Sequence, residues 1–175
     1  MTVADVAGVI ESGIRDIPDY PQPGVVFKDI TPLLADGPAF RAVIGALAGT
    51  YADVTKVAGI EARGFILAAP VACVLDAGFV PVRKKGKLPA ATYGEDYELE
   101  YGTASIEVHQ DAFVPGERVL IVDDVLATGG TARATVDLVR RAGATVAGIA
   151  VLIELSFLNG RGKLPDVPVT ALYTV

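Results

Sequence analysis

An α/β fold with a mostly parallel central sheet flanked by helices is predicted by three observations. Short apolar runs rich in β-branched residues recur along the chain and alternate with stretches of helical periodicity. One such run, Val119 to Val122, leads at once into two acids, a glycine turn and a helical pattern. Two other segments, Tyr97 to Tyr101 and Ala104 to Val108, alternate apolar and polar residues and read as an antiparallel hairpin inserted into the parallel frame.

The elements follow in order. Val6, Val9, Ile10 and Ile14 recur at helical spacing, so Val3 to Ile14 is a short amphipathic helix. Pro18, Pro21, Pro23 and Gly24 break regular structure, and Val25 to Ile30 is a short extended piece. Thr31-Pro32 and Asp36-Gly37-Pro38 resemble helix starts, a capping residue followed by proline, and the second helix runs to about Tyr51. Asp29 is placed to cap near Thr31. Lys56 to Ile60 reads as a strand, Glu61 to Gly64 as a turn, and Phe65 to Leu75 as a helix apolar nearly all round, hence buried. Phe79 to Val82 is the next strand, and Arg83 to Thr92 a basic loop. After the glycine turn, Ala134, Leu138 and Val139 fall on one helical face and Arg133, Asp137, Arg140 and Arg141 mostly on another. Thr145 to Ile153 is a buried strand, Asn159 to Gly162 a turn region, and Val167 to Val175 the last strand.

The 175 residues suffice for one domain with its own core, and no repeat, low-complexity segment or linker divides residues 1–175. A net charge of −6 argues against a general nucleic-acid surface. No apolar run is long enough to span a membrane, and the polar, acidic N-terminus is unlike a signal peptide. Cys73 is the one cysteine, so no internal disulfide forms; a cytoplasmic protein is expected. Cys73 is expected as a buried structural thiol, and His109, the one histidine, at the surface or a strand edge.

A strand, a glycine turn and a helix N-terminus together make an anion site. The first helical N–H groups lack partners inside the helix, and the aligned peptide dipoles leave positive potential there. Gly129 and Gly130 let backbone approach a phosphate closely, and Thr128 and Thr131 add hydroxyl donors. No lysine sits in this turn, which separates it from the Walker loop. Asp123 and Asp124, at the carboxyl end of the strand, can accept hydrogen bonds from vicinal hydroxyls or help hold Mg²⁺. A phosphate and a diol at that separation suggest a ribose 5-phosphate.

The stretch Val119 to Thr131 resembles the phosphoribosyl pyrophosphate motif of the type I phosphoribosyltransferases, and Ala127-Thr128-Gly129-Gly130-Thr131 is similar to its adenine-specific branch. The resemblance runs from Pro23 to about Lys163 through at least five motifs in order. It implies that family's fold, with a small N-terminal hood built mainly from residues 1–35 and an antiparallel lid hairpin. It also implies transfer of the 5-phosphoribosyl group from 5-phosphoribosyl-1-pyrophosphate to adenine, giving AMP and pyrophosphate, a purine-salvage reaction. Mg²⁺ would be held mainly by the substrate with no direct protein ligand required, and Asp123 and Asp124 would meet either the metal or only the ribose hydroxyls. The family is usually a homodimer.

Residue roles carry over motif by motif. Glu61-Ala62-Arg63-Gly64-Phe65 is similar to the family segment whose arginine contacts pyrophosphate and which follows a non-proline cis peptide, here Glu61–Ala62. Arg83, Lys84 and Lys87, in Arg-Lys-Lys-Gly-Lys-Leu-Pro, look like the run that helps hold pyrophosphate, partly across a subunit interface; Lys85 reads as surface. Leu-Glu-Tyr-Gly resembles the adenine enzymes' lid, making Glu100 the acid/base and Tyr101 a closing residue. Pro-Gly-Val-Val-Phe-Lys-Asp resembles the adenine pocket: backbone near Val26 and Lys28 reads the base edge, Phe27 stacks on it, and Leu155 covers the other face. Ala127 stands where the 6-oxopurine enzymes carry a candidate aspartate base, which favours a 6-aminopurine. Two other readings stay open: an oxopurine enzyme, and a non-enzymatic sensor of phosphoribosyl pyrophosphate.

Overall fold

The computed structural model describes residues 3–98 and 103–175. Helix α1 (Val3–Gly13) leads into a two-stranded antiparallel hairpin, β1 (Arg15–Pro18) and β2 (Val26–Asp29). Two helices follow, α2 (Thr31–Ala35) and α3 (Gly37–Ala48). Then come β3 (Lys56–Ile60), α4 (Arg63–Val74), β4 (Gly78–Lys84), β5 (Thr92–Glu98), β6 (Thr103–His109) and β7 (Arg118–Leu126). The chain closes with α5 (Gly130–Arg141), β8 (Thr145–Glu154), two 3₁₀ turns (Ser156–Leu158 and Gly160–Lys163) and β9 (Val169–Thr174).

The main sheet has seven strands in the order β5-β6-β4-β3-β7-β8-β9. From β4 to β9 every pairing is parallel, and β6 and β5 add an antiparallel ribbon at one edge. Successive residues of a strand face opposite sides of a sheet, and β7 uses this fully. Leu120 and Val122 enter the core beneath α1, α3 and α4, whereas Val119 and Ile121 enter the core beneath α5. All four are fully buried. That is why the run reads as continuously apolar rather than alternating.

The chain leaves β3 towards β4 on one side, and leaves β7 towards β8 on the other. The strand order therefore switches between β3 and β7, and a crevice opens at their carboxyl ends, where open α/β sheets bind ligands.

Several elements depart from expectation. Asp36 caps α3, its carboxylate accepting from Ala39 N–H at 2.9 Å, but Thr31 does not cap α2. There Asp29 accepts from Thr31 N–H at 2.9 Å. The hairpin strand β1 was not anticipated. Helix α4 starts at Arg63, two residues before the expected boundary. It is not buried all round: Ile66, Cys73 and Val74 are exposed. Strand β4 extends through Arg83 and Lys84, beyond the expected end at Val82, and β5 starts at Thr92 rather than Tyr97. His109 lies in β6, an interior strand of the sheet, with its ring Nε2 buried.

Candidate active site

The anion loop is built where β7 gives way to α5. Gly129 is the N-cap of α5 and adopts φ 76°, a left-handed conformation that a side chain would strain. A Cβ there would also sit 3.0 Å from the Gly160 carbonyl carbon. The first helical hydrogen bond runs from Arg133 N–H to Gly129 C=O at 2.9 Å. The N–H groups of Gly130, Thr131 and Ala132 thus lack partners within the helix. Residues Ala127 to Thr131 line a small cavity with Asp123. The sequence-predicted loop is assembled as expected.

Asp123 and Asp124 do not end β7; the strand stays paired to β8 as far as Leu126 opposite Glu154. Both acids are therefore held by the sheet itself. Asp123 Oδ1 accepts from Asp124 N–H at 2.9 Å. Burial first, then the neighbouring Asp124 charge, push the Asp123 carboxyl well above the usual carboxylate range. Asp124 is 7% exposed. Arg63 Nη2 lies 2.5 Å from Asp124 Oδ2, an ionic contact outside hydrogen-bond geometry, and this oxygen accepts no hydrogen bond among the described residues.

Arg63 is placed by the first turn of α4, and Gly64 makes that placement possible. A Cβ on Gly64 would fall 2.8 Å from Asp123 Oδ1 and 3.1 Å from Val122 O. Only a bare Cα lets the helix start this close to β7. Arg63 Nη1 also donates to Lys28 C=O at 3.1 Å, and its guanidinium lies over the Phe27 ring. The Glu61–Ala62 peptide before it is cis, as the motif implied.

Glu61 organises the basic run. Its carboxylate accepts from Arg83 Nε at 3.2 Å and from Lys84 N–H at 2.9 Å, with Lys87 Nζ at 3.5 Å. Burial opposes its charge, but the Lys84 N–H, Arg83 and Lys87 outweigh burial and hold the carboxyl below its ordinary value. On β6, the buried Glu107 accepts from Gly86 N–H at 3.0 Å and pins the same turn. One cleft is lined by Glu61, Arg63, Lys84, Asp123, Asp124 and Thr131, among others. Arg83 and Lys87 reach it through Glu61, and Lys85 is exposed as expected. Neither Glu61 nor Glu107 was singled out from the sequence; each acts on residues more than twenty positions away.

The hood hairpin carries Val26, Phe27 and Lys28. Val26 is exposed, and Tyr20 meets Phe27 edge-on at 5.2 Å. Lys28 Nζ is held by Asp16 at 2.8 Å. Leu155 follows β8, its N–H donating to Leu126 C=O at 2.9 Å. Glu100 and Tyr101 lie outside the described residues. Tyr97, at the near end of the hairpin, lines the cleft and rests on the start of α5: a Cβ on Gly130 would lie 3.2 Å from Tyr97 Cδ2.

An anion loop, a carboxylate pair and a cluster of cations meet at the switch point of the sheet, and residues 31–169 match the phosphoribosyl transferase domain model. The chain is 65% identical over 173 residues to the adenine phosphoribosyltransferase of Thermobifida fusca, covering 98% of each. It is 60% identical to that of Acidothermus cellulolyticus over the whole of both. The crystal structure of adenine phosphoribosyltransferase from Rhodothermus marinus superposes with a TM-score of 0.94 at 55% identity, covering 98% of this chain and 99% of that one. The Saccharomyces cerevisiae enzyme, solved with adenine and an imino-altritol bisphosphate, gives 0.92 at 36% identity, covering 97% and 99%. The chain belongs to the phosphoribosyltransferase family, in its adenine phosphoribosyltransferase branch.

Proposed function

We infer that this chain transfers the 5-phosphoribosyl group from 5-phosphoribosyl-1-pyrophosphate to adenine, giving AMP and pyrophosphate in purine salvage. The observation that carries the reading is that Arg63, in the wall of the cleft, meets Asp124 on one side and the Phe27 ring of the hood on the other. The N–H groups at the start of α5, with the Thr128 and Thr131 hydroxyls, take the 5-phosphate. Asp123 and Asp124 accept the ribose hydroxyls. Val26, Phe27, Lys28 and Leu155 hold adenine.

As N9 of adenine bonds to ribose C1, the C1–O bond to pyrophosphate breaks and its electron pair leaves with pyrophosphate. Positive charge develops on the sugar and negative charge on the leaving group. Arg63 and Lys84, with Arg83 and Lys87 from the Glu61 cluster, stabilise that negative charge; fixed cations are most effective in a site closed to water. The N9 proton passes to Glu100, and Tyr101 helps to close the lid.

The two adjacent carboxylates, one buried with an oxygen that accepts no hydrogen bond among the described residues, suit a hard cation that binds through one or two carboxylates and substrate phosphates. Mg²⁺ would be held there by the substrate together with Asp123 and Asp124, and it would neutralise pyrophosphate charge.

Residues 1–175 act as one catalytic domain whose hood is drawn mainly from 1–35. A homodimer is supported by apolar side chains exposed on α4 and β4, namely Ile66, Val74 and Phe79. The acidic composition and single cysteine support a cytoplasmic setting, and no described helix is long and apolar enough to cross a membrane.

The test is base competition. Protein, Mg²⁺ and phosphoribosyl pyrophosphate are mixed with adenine, hypoxanthine, guanine or xanthine, and nucleotide and pyrophosphate are followed. AMP formed with adenine alone is the expected result. Turnover with an oxopurine would overturn the reading of Ala127 and Phe27, and binding of phosphoribosyl pyrophosphate with no turnover on any base would point to a sensor.

A further inference from the structure

We propose that Glu154 and Arg161 are positioning residues for the ribose 5-phosphate, and that their ion pair fixes the phosphate loop from behind. The inference rests on the ribose-phosphate site proposed above. Arg161 Nε donates to both Glu154 oxygens, at 2.7 and 2.9 Å, and Nη2 donates to Oε2 at 2.7 Å. The remaining Nη1 donates to Val169 C=O of β9 at 2.7 Å. The Glu154 side chain is only 8% exposed. A two-donor fork on a sheltered carboxylate has a fixed direction as well as a charge, unlike the usual surface pair.

The pair closes a short segment, and both ends of that segment meet the active site. At one end, Leu155 hangs from Leu126 C=O, the last residue of β7. At the other end, Gly160 lies directly against the phosphate loop. A Cβ on Gly160 would sit 3.1 Å from Gly129 N and would run into Ala127 C=O. A Cβ on Gly129 would in turn lie 3.1 Å from Gly160 Cα. Two backbones touch here with no side chain between them. The segment is also stiff: Leu158 N–H donates to Leu155 C=O and Asn159 N–H to Ser156 C=O, both at 3.0 Å. A displacement of Arg161 therefore moves Gly160, and Gly160 moves the turn that aims the α5 amides.

The pyrophosphate cations provide the internal control. Arg63 starts α4 and Lys84 ends β4, whereas the clamp joins β8 to β9, on the other side of β7 in the sheet. Loosening the clamp should weaken 5-phosphate binding and spare pyrophosphate, whereas a general loss of stability would lower both.

The experiment is calorimetric titration of AMP and, separately, of magnesium pyrophosphate into the full chain and three variants, Arg161→Met, Arg161→Lys and Gly160→Ala, with thermal melts alongside. Arg161→Met strands a buried carboxylate and can lower stability. Arg161→Lys keeps the charge and loses the fork, and Gly160→Ala leaves the pair intact and pushes on the loop directly. Misplacing a binding group by a fraction of an ångström through its supporting partner typically weakens a site roughly 10-fold or more. That loss is expected for AMP in Arg161→Met and Gly160→Ala, with a smaller loss in Arg161→Lys and pyrophosphate affinity unchanged in all three. Folded Arg161→Lys and Gly160→Ala proteins with wild-type AMP affinity would overturn the proposal, as would equal losses for both ligands. Wild-type protein that binds no AMP would instead overturn the phosphoribosyltransfer reading on which it rests.

Discussion

The guanidinium of Arg63 lies 4.7 Å from the centroid of the Phe27 ring. One residue thereby rests on an aromatic ring of the hood and, through Nη2, meets the carboxylate of Asp124 on β7. The planar fork suits both contacts; a lysine ammonium supplies charge and donors from one point, without the stacking surface or the second nitrogen that reaches Asp124. Arg63→Lys is expected to lower kcat/KM roughly 100-fold, the size typical of losing one group that meets developing charge. Steady-state kinetics check this, and a variant within a factor of two of wild type would remove Arg63 from the leaving-group site.

Gly129 combines a left-handed backbone with contact against Gly160. Gly129→Val places a β-branched side chain where both the conformation and the space forbid it. AMP binding should be lost while magnesium pyrophosphate still binds. Normal AMP affinity in a calorimetric titration of this variant would refute the role of the loop.

Glu100 lies outside the described residues, so its part rests on the Leu-Glu-Tyr-Gly motif alone. A positioned proton-transfer group contributes about 10²–10⁴-fold. Glu100→Gln is expected to slow single-turnover AMP formation within that range with adenine affinity little changed. An unaltered rate would send the search for the acid/base elsewhere.

The hood has its own pH dependence. The Arg15 guanidinium, and then the Thr31 N–H, hold the Asp29 carboxyl down to about 2 from an ordinary 3.8. The folded value is the lower one, so the stabilisation is present above the ordinary value and lost as pH falls towards 2. Beside α5 the Arg140 guanidinium likewise lowers the Asp166 carboxyl to about 2. Melting temperatures of wild type, Asp29→Asn and Asp166→Asn measured from pH 5 to pH 2 should show a shallower decline in each variant. Superimposable slopes would mean that neither pair is retained in solution.

What could be read beforehand was local. The phosphate loop is contiguous, and its chemistry is a matter of residue type at fixed spacing, so Asp123 to Thr131 could be placed on a strand, a turn and a helix start directly. Arg63 and its cis peptide came through resemblance of a five-residue motif. What escaped joins distant parts of the chain. Glu61 meets Arg83 and Lys84, and Glu107 meets Gly86, because β3, β4 and β6 are neighbours in the sheet. Gly160 backs Gly129 through main chain alone, which leaves no side-chain pattern to notice. The exposed flank of α4 was missed because an apolar helix without periodicity does not declare which side faces outward. Strand β1 was missed because its four residues are short, charged and mostly exposed.

The uneven support of the sheet sets how the enzyme should behave on warming. Strand β7 is flanked by β3 and β8, whereas among the described residues β5 is an edge strand paired only to β6. Edges fray at lower free-energy cost than centres. Heat should therefore loosen Tyr97 and the hairpin that lines the cleft while the loop after β7 still grips the sugar, and nucleotide affinity should outlast turnover by several degrees. Near its upper working temperature the protein would first become a nucleotide-binding protein, and only later an unfolded chain.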